Sequence, residues 1–268
     1  MCLCVFHHRP GHEWPLLLVA NRDEFLDRLA EAMHWWDQTE HPAAPVLAGR
    51  DLKAGGTWLA TDPAGRIALL TNIRPGHLGH TGSRSRGELP LAFLQQPHSI
   101  TRFHQSVLPT IDEYGGFNLV LFDPKGLSDA QGLFWFSSDH PQGQWLTPGI
   151  HGLSNDALDT PWPKVRLARE QMAEHHQQLE VTPWLPADLA RTPILADPQP
   201  QPDNHLPDTG VPLDWERTLS AQTITSERYG SRCRTWIAVH RSGLMQVGEA
   251  QLNPDGTLDE PRLFSWQV

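Results

Sequence analysis

Cysteine is scarce in this chain. Its 268 residues include three, Cys2, Cys4 and Cys233, which cannot form a fully paired disulfide set and lack the grouped spacing of a structural zinc site. That usage fits a reducing compartment. Basic residues are in the minority, 21 Lys and Arg against 31 Asp and Glu, for a formal charge of -10. The attraction to phosphate backbones that drives nucleic-acid binding therefore has no source, and nucleic acid is excluded as the main partner. No apolar run approaches the roughly 20 residues that span a bilayer; the one near the start, Pro15 to Ala20, is of strand length. No integral membrane segment is expected. The basic, apolar and small-residue regions of a secretory signal are missing too, so a cytoplasmic location is the expectation. No internal repeat is evident.

What is present suffices for a globular core: 39% of residues are hydrophobic. Cys2 to His8 alternates Cys2, Cys4 and Phe6 against Leu3 and Val5, whereas Leu16 to Ala20 is continuously apolar, as a strand covered on both faces would be. Between them Pro10 and Gly11 give hairpin-loop composition. Further strands are expected at Thr57–Thr61, Arg66–Asn72, Phe117–Phe122, Leu133–Ser137, Ile150–Ser154, Thr235–His240, Leu244–Glu249 and Arg262–Trp266. Helical periodicity marks Gly87–Gln96, Ile100–Leu108 and, most clearly, Pro163–Leu179, where Val165, Ala168, Met172 and Leu179 share a face behind the prolines of a helix entrance. Residues 183–212 are proline-rich and read as a long extended surface loop rather than a linker, because the strands after it need a sheet to join. The chain is thus one domain, residues 1–268, of α+β class, with two packed sheets flanked by helices.

The residue that points to chemistry is Cys2. Removal of Met1 would leave a cysteine carrying both a thiol and a free α-amine of pKa about 7.7–8.0, so that one residue supplies nucleophile and base. Position two alone reads better as a small buried apolar residue of a first strand. A second feature, Ala-Asn-Arg-Asp-Glu-Phe at residues 20–25, sets Asn21, Arg22, Asp23 and Glu24 directly behind an apolar strand. They form either a solvated turn or a buried cluster whose charges must be paired. Strand alternation allows Asn21 with Asp23, or Arg22 with Glu24, to share a face, and keeps Arg22 and Asp23 from both reaching the thiol unless the chain turns.

Behind Met-Cys-x-Cys-x-Phe, this hexapeptide resembles the signature of the NRDE family, also called the transport and Golgi organisation 2 family. Segments resembling that family follow in order: Gly55–Ala60, Leu69–Asn72, Ser85–Leu89, Gly116–Asp123, His151–Lys164, Leu206–Val211 and Tyr229–Arg232. The pattern is also similar to that of choloylglycine hydrolases and penicillin V acylases, which are N-terminal-cysteine amidases. That resemblance implies an N-terminal-nucleophile hydrolase-like αββα sandwich of two antiparallel sheets. It also implies a site of Cys2, Asn21, Arg22, Asp23, Glu24, Asn72, Asn155 and Arg232, in which carboxylate and guanidinium orient the thiol and amine while Asn155 and Asn72 face a developing oxyanion. The acylases place arginine before asparagine, whereas here Asn21 precedes Arg22. Taken singly, Asn155 reads as a turn residue before Asp156 and Arg232 as half of a surface salt bridge.

Two functions follow as expectations. In one, Cys2 hydrolyses a linear amide of a small-molecule substrate and needs no cofactor. In the other, the resemblance implies a non-catalytic carrier of haem or acyl-CoA and other lipids, with an apolar pocket lined by tryptophans such as Trp58 or Trp236 and an anion near Arg22 or Arg232. A structural role for the motifs, bracing a buried strand end, is the plainest alternative. Gly55, Gly56 and Gly230 are expected to serve turns. The histidines, including His77 with His80 and His175 beside His176, lack ligand spacing and are expected to be solvated rather than metal-bound.

Overall fold

In the computed structural model, residues 2–37, 44–74, 82–95, 99–129, 132–179 and 192–268 are described. His77, His80 and the 183–191 part of the proline-rich stretch lie outside them.

Apolar alternation builds the first sheet. Strands β1 (Cys2–His8) and β2 (Leu16–Phe25) form the expected hairpin. They are joined by β10 (Gly149–Leu153), β11 (Tyr229–Val239), β12 (Leu244–Gln251) and β13 (Arg262–Gln267) in the order β10-β1-β2-β11-β12-β13. The second sheet has seven strands in chain order: β3 (Ala30–Trp36), β4 (Val46–Asp51), β5 (Leu59–Thr61), β6 (Ile67–Asn72), β7 (Phe117–Phe122), β8 (Leu133–Ser137) and β9 (Gln144–Trp145). Every pairing between these strands is antiparallel.

Side-chain alternation then sorts the core into layers. Cys4, Phe6, Leu18 and Ala20 of the first sheet meet Leu47, Leu59, Leu69 and Val120 of the second. On the outer face of the first sheet Leu3, Val5, Leu17 and Val19 pack against Val165, Ala168 and Met172 of helix α3 (Pro163–Leu179). On the outer face of the second, Ala68, Leu70 and Leu119 cover helices α1 (Glu88–Gln95) and α2 (Ile100–Val107) through Leu89, Phe93 and Phe103. The architecture is α+β, with two packed antiparallel sheets and helices outside them, as the sequence implies. No helix among the described residues is long and apolar enough to cross a membrane.

Three local expectations are corrected. The apolar strand does not end at Ala20: β2 runs on to Phe25, because β1 pairs with it as far as Cys2 opposite Arg22 and β11 as far as Tyr229 opposite Phe25. The polar hexapeptide is therefore strand, with Asn21, Arg22 and Asp23 all buried. Strands β3, β4 and β9 and the short helix α4 (Leu213–Leu219) were absent from the sequence reading, and β11 begins six residues earlier than expected. Within the proline-rich stretch, Ile194 and Leu195 are fully buried against the outer face of the first sheet. The Leu195 carbonyl accepts hydrogen bonds from Asn21, Thr223 and Arg234.

Candidate active site

Cys2 opens β1 on the inner face it shares with Cys4 and Phe6. Above it the two sheets part around a cavity of about 210 Å³. Its wall includes Cys2, Arg22, Asp23, Glu24, Trp58 and Asn72, together with Arg28, Asp51 and Arg86. Five of the eight residues expected at a site thus line one cavity: Cys2, Arg22, Asp23, Glu24 and Asn72.

The register explains how neighbours on one strand reach the same thiol. Arg22 points toward the second sheet, its guanidinium carbon 4.3 Å from the centre of the Trp58 ring. Asp23 contributes its backbone N–H, which is directed at the Cys2 sulfur. Its carboxylate accepts a 2.5 Å hydrogen bond from Ser231 Oγ. Asn21 shares the outward face of β2 and is fully engaged there, donating to the carbonyls of Leu195 (3.0 Å) and Gln222 (2.9 Å) and accepting from Arg234 Nε (2.9 Å). It is part of the bracing behind the strand. Glu24 accepts from the Phe25 N–H and approaches Arg28 at 3.9 Å.

Asn72 and Asn155 are coupled through the backbone. Asn155 Nδ2 donates to the Asn72 carbonyl at 3.1 Å, and the Arg74 N–H donates back to the Asn155 carbonyl at 2.8 Å. Ser154 Oγ lies 3.3 Å from both the Cys2 carbonyl and Asn155 Oδ1. Asn155 therefore holds the strand ends that carry Cys2 and Asn72, while the Asn72 side chain borders the cavity. Arg232 sits where the β11 register shifts between Ser231 and Cys233, a bulge that leaves it out of the ladder. Its guanidinium donates to the carbonyls of Phe25 (3.0 Å) and Leu26 (2.9 Å), and it does not line the cavity.

Electrostatics around the thiol are dominated by burial. Burial pushes the Cys2 thiol above its ordinary value, and Asp23 adds to the shift, while Arg22 and the Asp23 N–H oppose it. Burial also raises the Asp23 carboxyl, with Lys164, the Ser231 hydroxyl and Arg22 holding it down. Lys164, at the entrance of α3, is buried and is pulled down to about 8 by desolvation, although Asp23 favours its charge. Its Nζ donates to the Leu219 carbonyl at 2.8 Å. Alongside stand Arg74 and Glu216, paired at 3.3 Å and both buried, with Thr209 donating to Glu216 through its N–H at 2.9 Å and through its hydroxyl.

Sequence reasoning missed Arg28, Asp51, Arg86 and Lys164. Arg86 and Lys164 lie inside the quoted segments Ser85–Leu89 and His151–Lys164, so the segments themselves were the available signal. Trp58 borders the cavity as a platform for Arg22, whereas Trp236 is buried on the outer face of the sheet. Among the described residues no group of three or more His, Cys, Asp or Glu is placed to hold a metal ion.

Comparison with known proteins finds relatives along nearly the whole chain. A family model described as Transport and Golgi organisation 2 matches residues 1–254. The Transport and Golgi organization 2 homolog of Mus musculus is 30% identical over 270 residues, covering 94% of this chain and 93% of that protein. The homolog of Homo sapiens is 30% identical over 269 residues with the same coverage. The Transport and Golgi organization protein 2 of Drosophila melanogaster is 26% identical over 279 residues, covering 96% and 95%.

Proposed function

The chain belongs to the Transport and Golgi organisation 2 family, and from that membership and the cavity together we propose that it is an N-terminal-nucleophile amidohydrolase that cleaves a linear amide with Cys2. The observation that carries this reading is the position of the Cys2 thiol: it opens a buried strand, borders a charged cavity, and has Arg22 opposite it and the Asp23 N–H on its sulfur. Two packed antiparallel sheets with helices outside them are also the arrangement expected of such a hydrolase.

In the protein lacking Met1, the α-amine of Cys2 takes the thiol proton as sulfur attacks the amide carbon. A buried thiol held above its ordinary value loses its proton only when a base lies next to it, and the α-amine is that base. Arg22 favours the thiolate, and Asp23, next to it on β2, favours the protonated amine. Asn72 donates to the oxyanion, with its backbone held by Asn155. Collapse expels the amine, which leaves with the proton and a thioester on Cys2. Water then cleaves the thioester, releasing a carboxylic acid and restoring the thiol.

A cavity of about 210 Å³ with six ionisable side chains on its wall besides Cys2 suits a compact polar substrate. Pockets for drug-sized ligands run to about 300–1,000 Å³ and are mostly apolar, which speaks against enclosing a haem macrocycle or an acyl chain here. Intact mass of the expressed protein, before and after a thiol-directed acylating probe, tests the reading. Loss of Met1 with one adduct that disappears in Cys2→Ala is the expected result; retained Met1 with an inert Cys2 would overturn it.

A further inference from the structure

The charges around the cavity do not pair off. Its wall carries three guanidinium groups, Arg22, Arg28 and Arg86, and three carboxylates, Asp23, Glu24 and Asp51. Arg28 grips Asp51 through two nitrogens at 2.7 and 2.8 Å and approaches Glu24 at 3.9 Å. Asp51 further accepts from the N–H groups of Lys53 and Ala54. Glu24 accepts from Phe25, and the Asp23 carboxylate is taken by Ser231 with Lys164 beside it. The three acids thus have their own partners.

Two of the cations do not. Arg22 is 5% exposed and rests on the face of Trp58, and its guanidinium makes no hydrogen bond or ion pair with any described residue. Arg86 spends one nitrogen on the Gly116 carbonyl at 2.9 Å and leaves the rest of its fork toward the cavity, within the electrostatic reach of Cys2. A guanidinium that no protein group satisfies is left to solvent or to a ligand, and its planar fork is suited to a carboxylate or phosphate. In a cavity of about 210 Å³ both guanidinium groups share the wall with Cys2, so an anion they receive lies close to an amide placed over the thiol.

We propose that the substrate of this cavity is a small amide carrying a carboxylate or phosphate close to the scissile bond, and that Arg86, with Arg22, receives that anion. The proposal rests on the amidohydrolase reading for the amide, but the anion site can be measured without turnover. Arg86 acts as a specificity-determining residue, whereas Arg22 also serves the thiol.

The test is calorimetric titration of Cys2→Ala protein with three probes of similar size: N-acetylglycine, the phosphate ester of N-acetylethanolamine, and neutral N-acetylglycinamide. At least tenfold tighter binding of an anionic probe is expected, and the carboxylate and phosphate arms tell which anion the site takes. Adding Arg86→Gln is expected to remove most of that preference, and Arg86→Lys to keep part of it. Equal affinity for the neutral and anionic probes, or weaker binding of both anions, overturns the proposal; should the Gln variant fail to fold, the comparison within Cys2→Ala still decides. Anion binding in a protein whose Cys2 resists acylation would instead sink the hydrolase reading and leave the anion site standing.

Discussion

A side-chain carbon added to Gly56 would lie 2.5 Å from the carbonyl carbon of Gly87. Both glycines border the cavity, and the segments they belong to are tied by a 3.0 Å hydrogen bond from the Thr57 N–H to the Gly87 carbonyl. The expected role of Gly56 in a turn is therefore replaced by one in close packing. Its neighbour Gly55, at φ +73°, is the turn residue and has open space around it.

This contrast gives the first prediction. Gly56→Ala forces apart the segments that carry Trp58 and Arg86, so it is expected to destabilise by about 1–3 kcal/mol and to slow acylation of Cys2 at least tenfold. Gly55→Ala is expected to cost about 1–2 kcal/mol for its left-handed backbone and to leave acylation close to wild type. Urea denaturation and probe labelling followed by intact mass measure the two effects separately.

Lys164 predicts a pH dependence of stability. Its folded value of about 8 lies below the ordinary 10.5, so between these limits the unfolded chain holds a proton that the folded chain has lost. Stability contributed by this group therefore rises with pH across that window and is flat below it. Measured as wild type minus Lys164→Met, the difference in unfolding free energy should climb by on the order of 3 kcal/mol between pH 8 and 10.5. A difference that stays flat or falls would remove Lys164 from the buried charge cluster.

The thiols predict a labelling pattern. Cys4 and Cys233 are buried in the sheets, and burial drives both far above the ordinary thiol range, whereas Cys2 borders the cavity. A small alkylating reagent should therefore modify one of the three cysteines in the native protein and all three after denaturation. Peptide mapping should locate the native adduct at Cys2.

Glu249 bridges the two sheets. From β12 it accepts the Met33 N–H of β3 at 2.7 Å and the Thr235 hydroxyl of β11 at 3.2 Å. Glu249→Ala strands a buried N–H and is expected to cost about 1–3 kcal/mol. Burial raises the carboxyl above its ordinary value of 4.5. The folded state thus holds its proton to higher pH, and the stability from this group falls as pH rises through that window. Glu249→Gln, which keeps the acceptor and removes the charge, should flatten that part of a denaturation series taken from pH 4 to 7.

What was legible in the sequence followed from how regular the packing is. Cys2–His8 alternates cleanly because one face meets the second sheet and the other meets α3, and Pro163–Leu179 keeps its stripe because it covers a single sheet. Strand β3 was invisible because it is irregular, with a register shift between Glu31 and His34 and Met33 and Trp36 as its buried positions. Strand β9 has two residues, too few for any period. At the site, Cys2 and the 20–25 hexapeptide stood out because four polar residues behind an apolar strand are unusual. Arg28, Asp51 and Arg86 did not, since charged residues in turns are ordinary until a fold brings them together. Lys164 reads as a solvated helix entrance, and its burial emerges only when the fold brings it to the Leu219 carbonyl and near Asp23.

The place of β1 between β10 and β2 sets a timetable for folding. Residue by residue, Cys4 to His8 pair with Leu153 to Gly149 on one side and Cys2 to His8 with Arg22 to Leu16 on the other. The hairpin partner leaves the ribosome almost at once, but Gly149 follows Cys2 by nearly 150 residues, which at about 5–20 residues per second is roughly 7–30 s of synthesis. Until then the edge of the first strand from Cys4 to His8 is unpaired.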